Sequence, residues 1–166
     1  MRQQAAVAHL GQFGLQSDDL DEVLHEAMVV AGDTLGVREV ALFEQRPGSQ
    51  RLRGRAGIRD GRVLPRRTMG KLVLPGGSGS LPGFAVSQAG PVVAEDLLRD
   101  VRFTSRAPDF ELPLRAALAA PIGWGEAPFG VLAVYDRVVR AWSDDEVHFV
   151  QAIANTMGLA IQRSGI

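Results

Sequence analysis

The chain of 166 residues contains no cysteine. That absence removes a disulfide frame, a thiol nucleophile, a thiolate metal site and any cysteine-linked cofactor. It fits a reducing compartment, and the expectation is a cytoplasmic domain. Lysine is nearly absent too, Lys71 being the one copy. No uninterrupted apolar run approaches the roughly 20 residues of a membrane helix, and the N-terminus lacks the apolar core of a signal peptide. This segment is therefore expected to make no membrane contact. Histidine is limited to His9, His25 and His148, whose spacings match no zinc or metalloprotease motif, so no metal is expected. Nor does charge of one sign prevail: the net value is −1 at pH 7. That balance speaks against disorder and against a globally basic nucleic-acid binder.

What is present is apolar material, 46% of the residues, enough at this length for one domain with a substantial core. The last third is the most informative. Arg115 to Ile122 is apolar on both faces, Gly123 to Pro128 turns the chain, and Phe129 to Asp136 runs back. A strand apolar on both sides must be covered on both, so these two form an inner hairpin of a sandwiched sheet. After Arg140-Ala-Trp142, Ser143 and Glu146 make a capping box that starts a long helix over 143–164.

Upstream, Ala6, Val7, Leu10 and Phe13 recur at helical spacing within a helix over 2–16. Ser17 is the expected N-cap of a second helix, with Asp18, Asp19 and Asp21 at its positive end and Gly36 as its C-terminal cap. Val37 to Gln45 reads as a strand, and Arg51 to Ile58 as an arginine-rich edge strand. Residues 59–68 are expected to be an irregular crossing, Lys71 to Leu74 a short strand, and Pro75 to Gly79 a flexible loop. Ser80 opens a short helix ended by Gly90-Pro91, and Val92 to Asp96 is a strand. Pro108 and Pro113 break regular structure in the mixed segment 97–114. Strands grouped between helices argue for an α+β domain with an antiparallel sheet.

Seven pieces in this order resemble GAF domains, the small ligand-sensing modules of signalling proteins, and they cover nearly the whole chain. The entry is Asp19 to Leu24 running into Thr34 to Val37. The middle is Gly83 to Leu97 followed by Asp100 to Phe103. The close is Ala119 to Ile122, Phe129 to Val134 and Trp142 to Asn155. The pattern looks most like GAF domains attached to bacterial histidine kinases and cyclic-dinucleotide enzymes. The resemblance implies one GAF domain over 1–166, with a profilin-like central antiparallel sheet of about six strands. It also implies the first two helices and the last on one face, and the helix near 80–90 with segment 97–114 covering a pocket on the other.

On that reading the pocket candidates are Ser80, Phe84, Asp96, Phe103, Phe110, Ala117 and Ala119. Phenylalanines of the cover point at the sheet as pocket walls or as plain core. Ala116, Ala117, Ala119 and Ala120 leave volume opposite them, or equally let a helix approach closely. Asp96 is favoured over Glu95 and Asp100 as a polar contact, and the amides around Ser80 suit an anionic group. Covalent bilin attachment and the sulfoxide reductases of this fold work through cysteine, which the chain lacks. Haem is not expected, because all three histidines fall on helices opposite the pocket. The cyclic-nucleotide pattern of phosphodiesterase GAF domains does not lie on this chain. Any cofactor is thus left unassigned, and no catalytic residue is expected.

Residues 46–71 hold nine of the 18 basic side chains and one acid, Asp60. Without interleaved aromatics this reads as a solvated edge rather than a nucleic-acid surface. Two functions remain. The first is a non-catalytic sensor whose end helices carry ligand state to an output domain of the parent protein. The second is a ligand-free dimerisation module built on Val7, Leu10, Val150, Ile153, Met157 and Ile161, with Val147 and Ala154 widening the stripe. A homodimer through these helices is compatible with both.

Overall fold

A computed structural model describes residues 2–104, 113–123 and 128–165. Helices α1 (Arg2–Gln16) and α2 (Leu20–Leu35) lead into β1 (Glu39–Gln45), β2 (Leu52–Arg59) and β3 (Arg62–Val63). Then come α3 (Arg66–Gly70), β4 (Val73–Leu74), α4 (Leu81–Gln88), β5 (Val92–Ala94), β6 (Ala116–Ile122), β7 (Gly130–Asp136) and α5 (Asp144–Arg163). The seven-stranded sheet is antiparallel throughout, in the order β3-β2-β1-β7-β6-β5, with β4 paired to β2. Six strands lie on the main path, and the apolar hairpin occupies its interior.

Alternation along the strands sorts the two faces. Val40, Leu42, Leu118, Ala120, Ile122, Leu132 and Val134 pack with α1, α2 and α5. Ala41, Phe43, Ala117, Ala119, Val131, Ala133 and Tyr135 pack under α4 and the segments around it. Ala120 therefore belongs to the helix side, away from the cover. The two clusters explain why β6 is buried at every position.

The capping box forms as expected. Glu146 N–H donates to Ser143 Oγ at 3.1 Å, and Ser143 N–H donates to Glu146 Oε1 at 3.0 Å. Gly36 closes α2 with φ 71° and its N–H on the Gly32 carbonyl. The N-cap of α2, however, is Asp19, which accepts from the Asp21 N–H at 3.0 Å. Ser17 instead braces the turn, accepting from Asp19 N–H and donating to Glu22. The expected irregular crossing is built: Asp60 and Gly61, at φ 52° and 75°, turn β2 into β3, and α3 follows. Since β3 and β4 pair with its outer side, β2 is not an edge strand. Its glycines matter here. A Cβ on Gly54 would lie 2.2 Å from the Met69 carbonyl oxygen and one on Gly57 2.7 Å from the Met69 sulfur, so α3 seats where β2 carries no side chain.

The proposed intersubunit stripe is corrected. Leu10, Val150, Ile153, Ala154, Met157 and Ile161 are buried within the core of this single chain, because β6, α1 and α2 together cover this stripe of α5. Val7 alone of the six named candidates stays half-exposed, packed at the margin of that core.

Candidate functional site

The cover begins with a chain of local bonds. Ser80 caps α4: its Oγ accepts from the Gly83 N–H at 3.0 Å and donates to the Pro75 carbonyl at 2.6 Å. The hydroxyl is thereby committed to the fold. Gly77–Gly79 forms a single 3-10 turn rather than an open loop. That turn lies against the helix only because position 83 is glycine, where a Cβ would meet the Pro75 oxygen at 2.6 Å.

Phe84 and Phe103 meet edge-on with ring centroids 5.8 Å apart, and Phe103 is buried in the cover-side core. Arg102 lies 4.9 Å over the Phe103 ring while donating to Asp100 and to the Val93 carbonyl. Asp96 is occupied as well. Arg115 forks onto both its oxygens at 3.2 and 3.0 Å, and the Leu98 N–H donates to it at 3.1 Å. The Arg115 hydrogen bond holds the Asp96 carboxyl below its ordinary value. Phe110 lies outside the described residues, as do the chain around Pro108 and the middle of the 123–128 turn.

Ala117 and Ala119 are fully buried in the same cluster as Leu81 and Ala85. Helix α4 packs directly on β5, β6 and β7. The alanines thus admit the helix, the second of the two readings given for them, instead of holding open a chamber as pocket candidates. Phe84 and Phe103 likewise join the packed cluster.

Open volume on this side lies further along the sheet. A cleft of about 360 Å3 runs between α4, the glycine turn and the β1–β2 end, lined by Gln45, Gln50, Leu52, Gly76, Gly77, Gly83, Val86 and Ser87. Gln45 is the polar group of interest. Its Nε2 donates to the Ser49 carbonyl at 2.9 Å, while its Oε1 is buried without a hydrogen-bond partner among the described residues. An unsatisfied buried acceptor costs about 1–3 kcal/mol, which a donor group in the cleft would recover. Gln45 also lines a larger cleft of about 670 Å3 with Phe129, Gly158, Leu159 and Gln162. Gln45 thus touches both the cover-side opening and the far end of α5.

Sequence reading also passed over Glu39. It stands cross-strand from Tyr135, is 1% exposed, and receives Arg137, whose other contacts reach Asp60 at 3.0 Å. Burial lifts the Glu39 carboxyl above its ordinary value, and Arg137 offsets that only in part. Burial pushes the Tyr135 phenol up as well, keeping it neutral. At the other junction Arg140 donates to Asp136, Glu146 and the Leu35 carbonyl while stacking 4.5 Å from the Trp142 ring. One side chain thus ties the end of β7 to α2 and to the start of α5.

The histidines sit on the helical layer, His9 bonded to Glu26 at 2.7 Å. Among the described residues no three His, Cys, Asp or Glu side chains converge as a metal site. No helix of the described residues is long and apolar enough to cross a membrane.

Three helices on one face of an antiparallel sheet, and a short capped helix with a marginal cleft on the other, define a layered α+β domain. The family model described as "GAF domain" matches residues 19–161, and the chain belongs to that family. Solved structures agree on the fold. The GAF domain of a phosphoenolpyruvate-protein phosphotransferase from Coxiella burnetii superposes with TM-score 0.84 at 18% identity, over 99% of this chain and 95% of that one. Its Acinetobacter counterpart gives 0.82 at 20% identity, over 98% and 94%. A free methionine-R-sulfoxide reductase from Neisseria meningitidis gives 0.76 at 14% identity, over 98% and 90%. No curated protein matches the sequence. Since signalling domains and an enzyme share this fold, the likeness does not decide between sensing and catalysis.

Proposed function

We propose that this GAF domain is a regulatory, non-catalytic sensor of a small molecule in a bacterial signal-transduction protein. The reading rests on Gln45, which lines a cleft between cover and sheet and whose Oε1 is a buried acceptor without a partner among the described residues. The ligand offers an N–H or O–H to that oxygen. It is small, since a cleft of about 360 Å3 lies at the lower end of the usual range of about 300–1,000 Å3. The glycine turn and α4 settle over it. Its effect passes from the end of β1 to the far end of α5, across the cleft that Gln45 shares with Gly158, Leu159 and Gln162, and on to an output domain. The size of that response is bounded by the ligand's differential affinity for two states of the helical layer.

Native mass spectrometry of the purified domain tests this. Retained or added small molecules should give a discrete mass increment that Gln45→Ala abolishes. No increment from any metabolite or nucleotide, or one that Gln45→Ala leaves intact, rejects the reading.

A second reading, a ligand-free dimerisation module, is favoured by one observation. A groove of about 480 Å3 lined by Gln3, Gln4, Val7, Ala8, His148 and Phe149 runs between α1 and α5. Sedimentation of a monomer at high concentration would count against it.

A further inference from the structure

A separate cleft of about 410 Å3 is lined by Arg46, Arg53, Arg55 and Arg66, with Glu44 and Phe129 between them. We propose that it docks a carboxylate-rich segment of another protein or domain.

Charge is the first argument. Residues 46–71 carry nine basic groups and one acid, a local charge of +8 in a chain whose total is −1. The fold gathers four of those arginines from the β1–β2 turn, β2 and α3 into one concavity. Geometry is the second. Arg55 and Arg66, from different elements, already converge on the single carboxylate of Asp21, at 3.2 and 3.3 Å on its two oxygens. That carboxylate is more than half exposed and marks how an incoming one would sit, since guanidinium forks match carboxylates in shape. Arg46 has no side-chain partner among the described residues, and Arg53 has only a long contact of 3.5 Å to the Gly70 carbonyl. Half of the cleft's positive charge is therefore uncommitted.

Two other occupants fit less well. A nucleic acid needs phosphate-spaced charge and stacking faces, whereas these arginines line one small concavity with a single half-buried phenylalanine and share it with Glu44. A second copy would bring its acid-rich helix starts, such as Asp144 and Asp145, onto the cleft. That contact is head-to-tail, so it builds a ring or a filament and not the commoner two-fold pair.

Fluorescence anisotropy with a labelled oligoglutamate peptide tests the proposal on the whole chain, with an oligonucleotide of equal charge as comparator. The peptide should bind, more weakly as salt rises. The double variant Arg46→Ala/Arg53→Ala removes the uncommitted arginines and should weaken binding about tenfold, while Arg99→Ala leaves it unchanged. Asp21→Asn releases Arg55 and Arg66 and should tighten it. Absence of peptide binding overturns the proposal, as does a double variant that binds like the wild type. Tighter binding of the oligonucleotide, or weaker peptide binding by Asp21→Asn, overturns it too.

Discussion

Replacing Ile153 by alanine separates the two lives available to the last helix. The side chain is fully buried in the core of a single chain, among residues of the sheet and the helical layer. Losing its three outer carbons forfeits about 2.4 kcal/mol of transfer free energy at ~0.8 per carbon. The cavity left behind raises the total to about 3–4 kcal/mol. A domain of this size is stable by about 5–15 kcal/mol, so the variant still folds. At about 2–4 °C per kcal/mol, the melting temperature falls by about 6–16 °C. Urea unfolding at widely spaced protein concentrations reads the loss directly. It should appear in the midpoint with the slope unchanged, and at every concentration alike. A loss below about 1 kcal/mol, or one that shrinks as protein concentration rises, would return Ile153 to a subunit interface and refute the assignment.

Other perturbations test particular joints. Ser143→Ala opens the capping box and should cost about 1 kcal/mol in chemical denaturation; no measurable loss would mean the box is idle. Gly83→Ala puts a methyl 2.6 Å from the Pro75 oxygen and should destabilise by about 1–3 kcal/mol, with faster amide exchange in residues 76–80; unchanged exchange would contradict the tight seating of that turn. Glu39 gives a pH signature. Its raised value means the fold favours the protonated carboxyl, so wild-type stability carries that increment below 4.5 and loses it as pH climbs through the folded value. Glu39→Gln should flatten the decline in melting temperature between pH 4.5 and neutrality, and a steeper decline than wild type would reverse the sign. Asp96 and Asp100, held low by Arg115 and Arg102, shed their contributions only as pH falls below 3.8, outside that window.

What could be read in advance was whatever local chemistry dictates. The inner hairpin announced itself by being apolar on both faces, and Ser80, Gly36 and the Ser143–Glu146 box are caps whose partners lie within four residues. Strand β4 lies within the short strand expected over Lys71 to Leu74, whereas the two residues of β3 carry no periodicity, because pairing with β2 alone defines them. The choice of Asp19 over Ser17 turned on which of two good caps the entering chain presents. Site residues were harder. Four alanines of β6 were set opposite the cover without a means of sorting their faces; Ala117 and Ala119 lie there and Ala120 does not, and how far α4 descends onto them depends on Leu81 and Ala85. Glu39 was visible as an acid inside an apolar strand. Its partner Arg137 lies 98 residues away, beyond any spacing rule. Gln45 gave no signal at all, since an unmet amide oxygen is a property of packing.

The most direct measurement is a thermal-shift comparison of the wild type with Ser87→Trp across a metabolite library. Ser87 is exposed on α4 and lines the cover-side cleft, so the indole fills the space without entering the core. If the cleft is the sensing site, at least one compound raises the melting temperature of the wild type and leaves the variant unmoved. Compounds that shift both proteins equally, or a library that shifts neither, would place the function elsewhere.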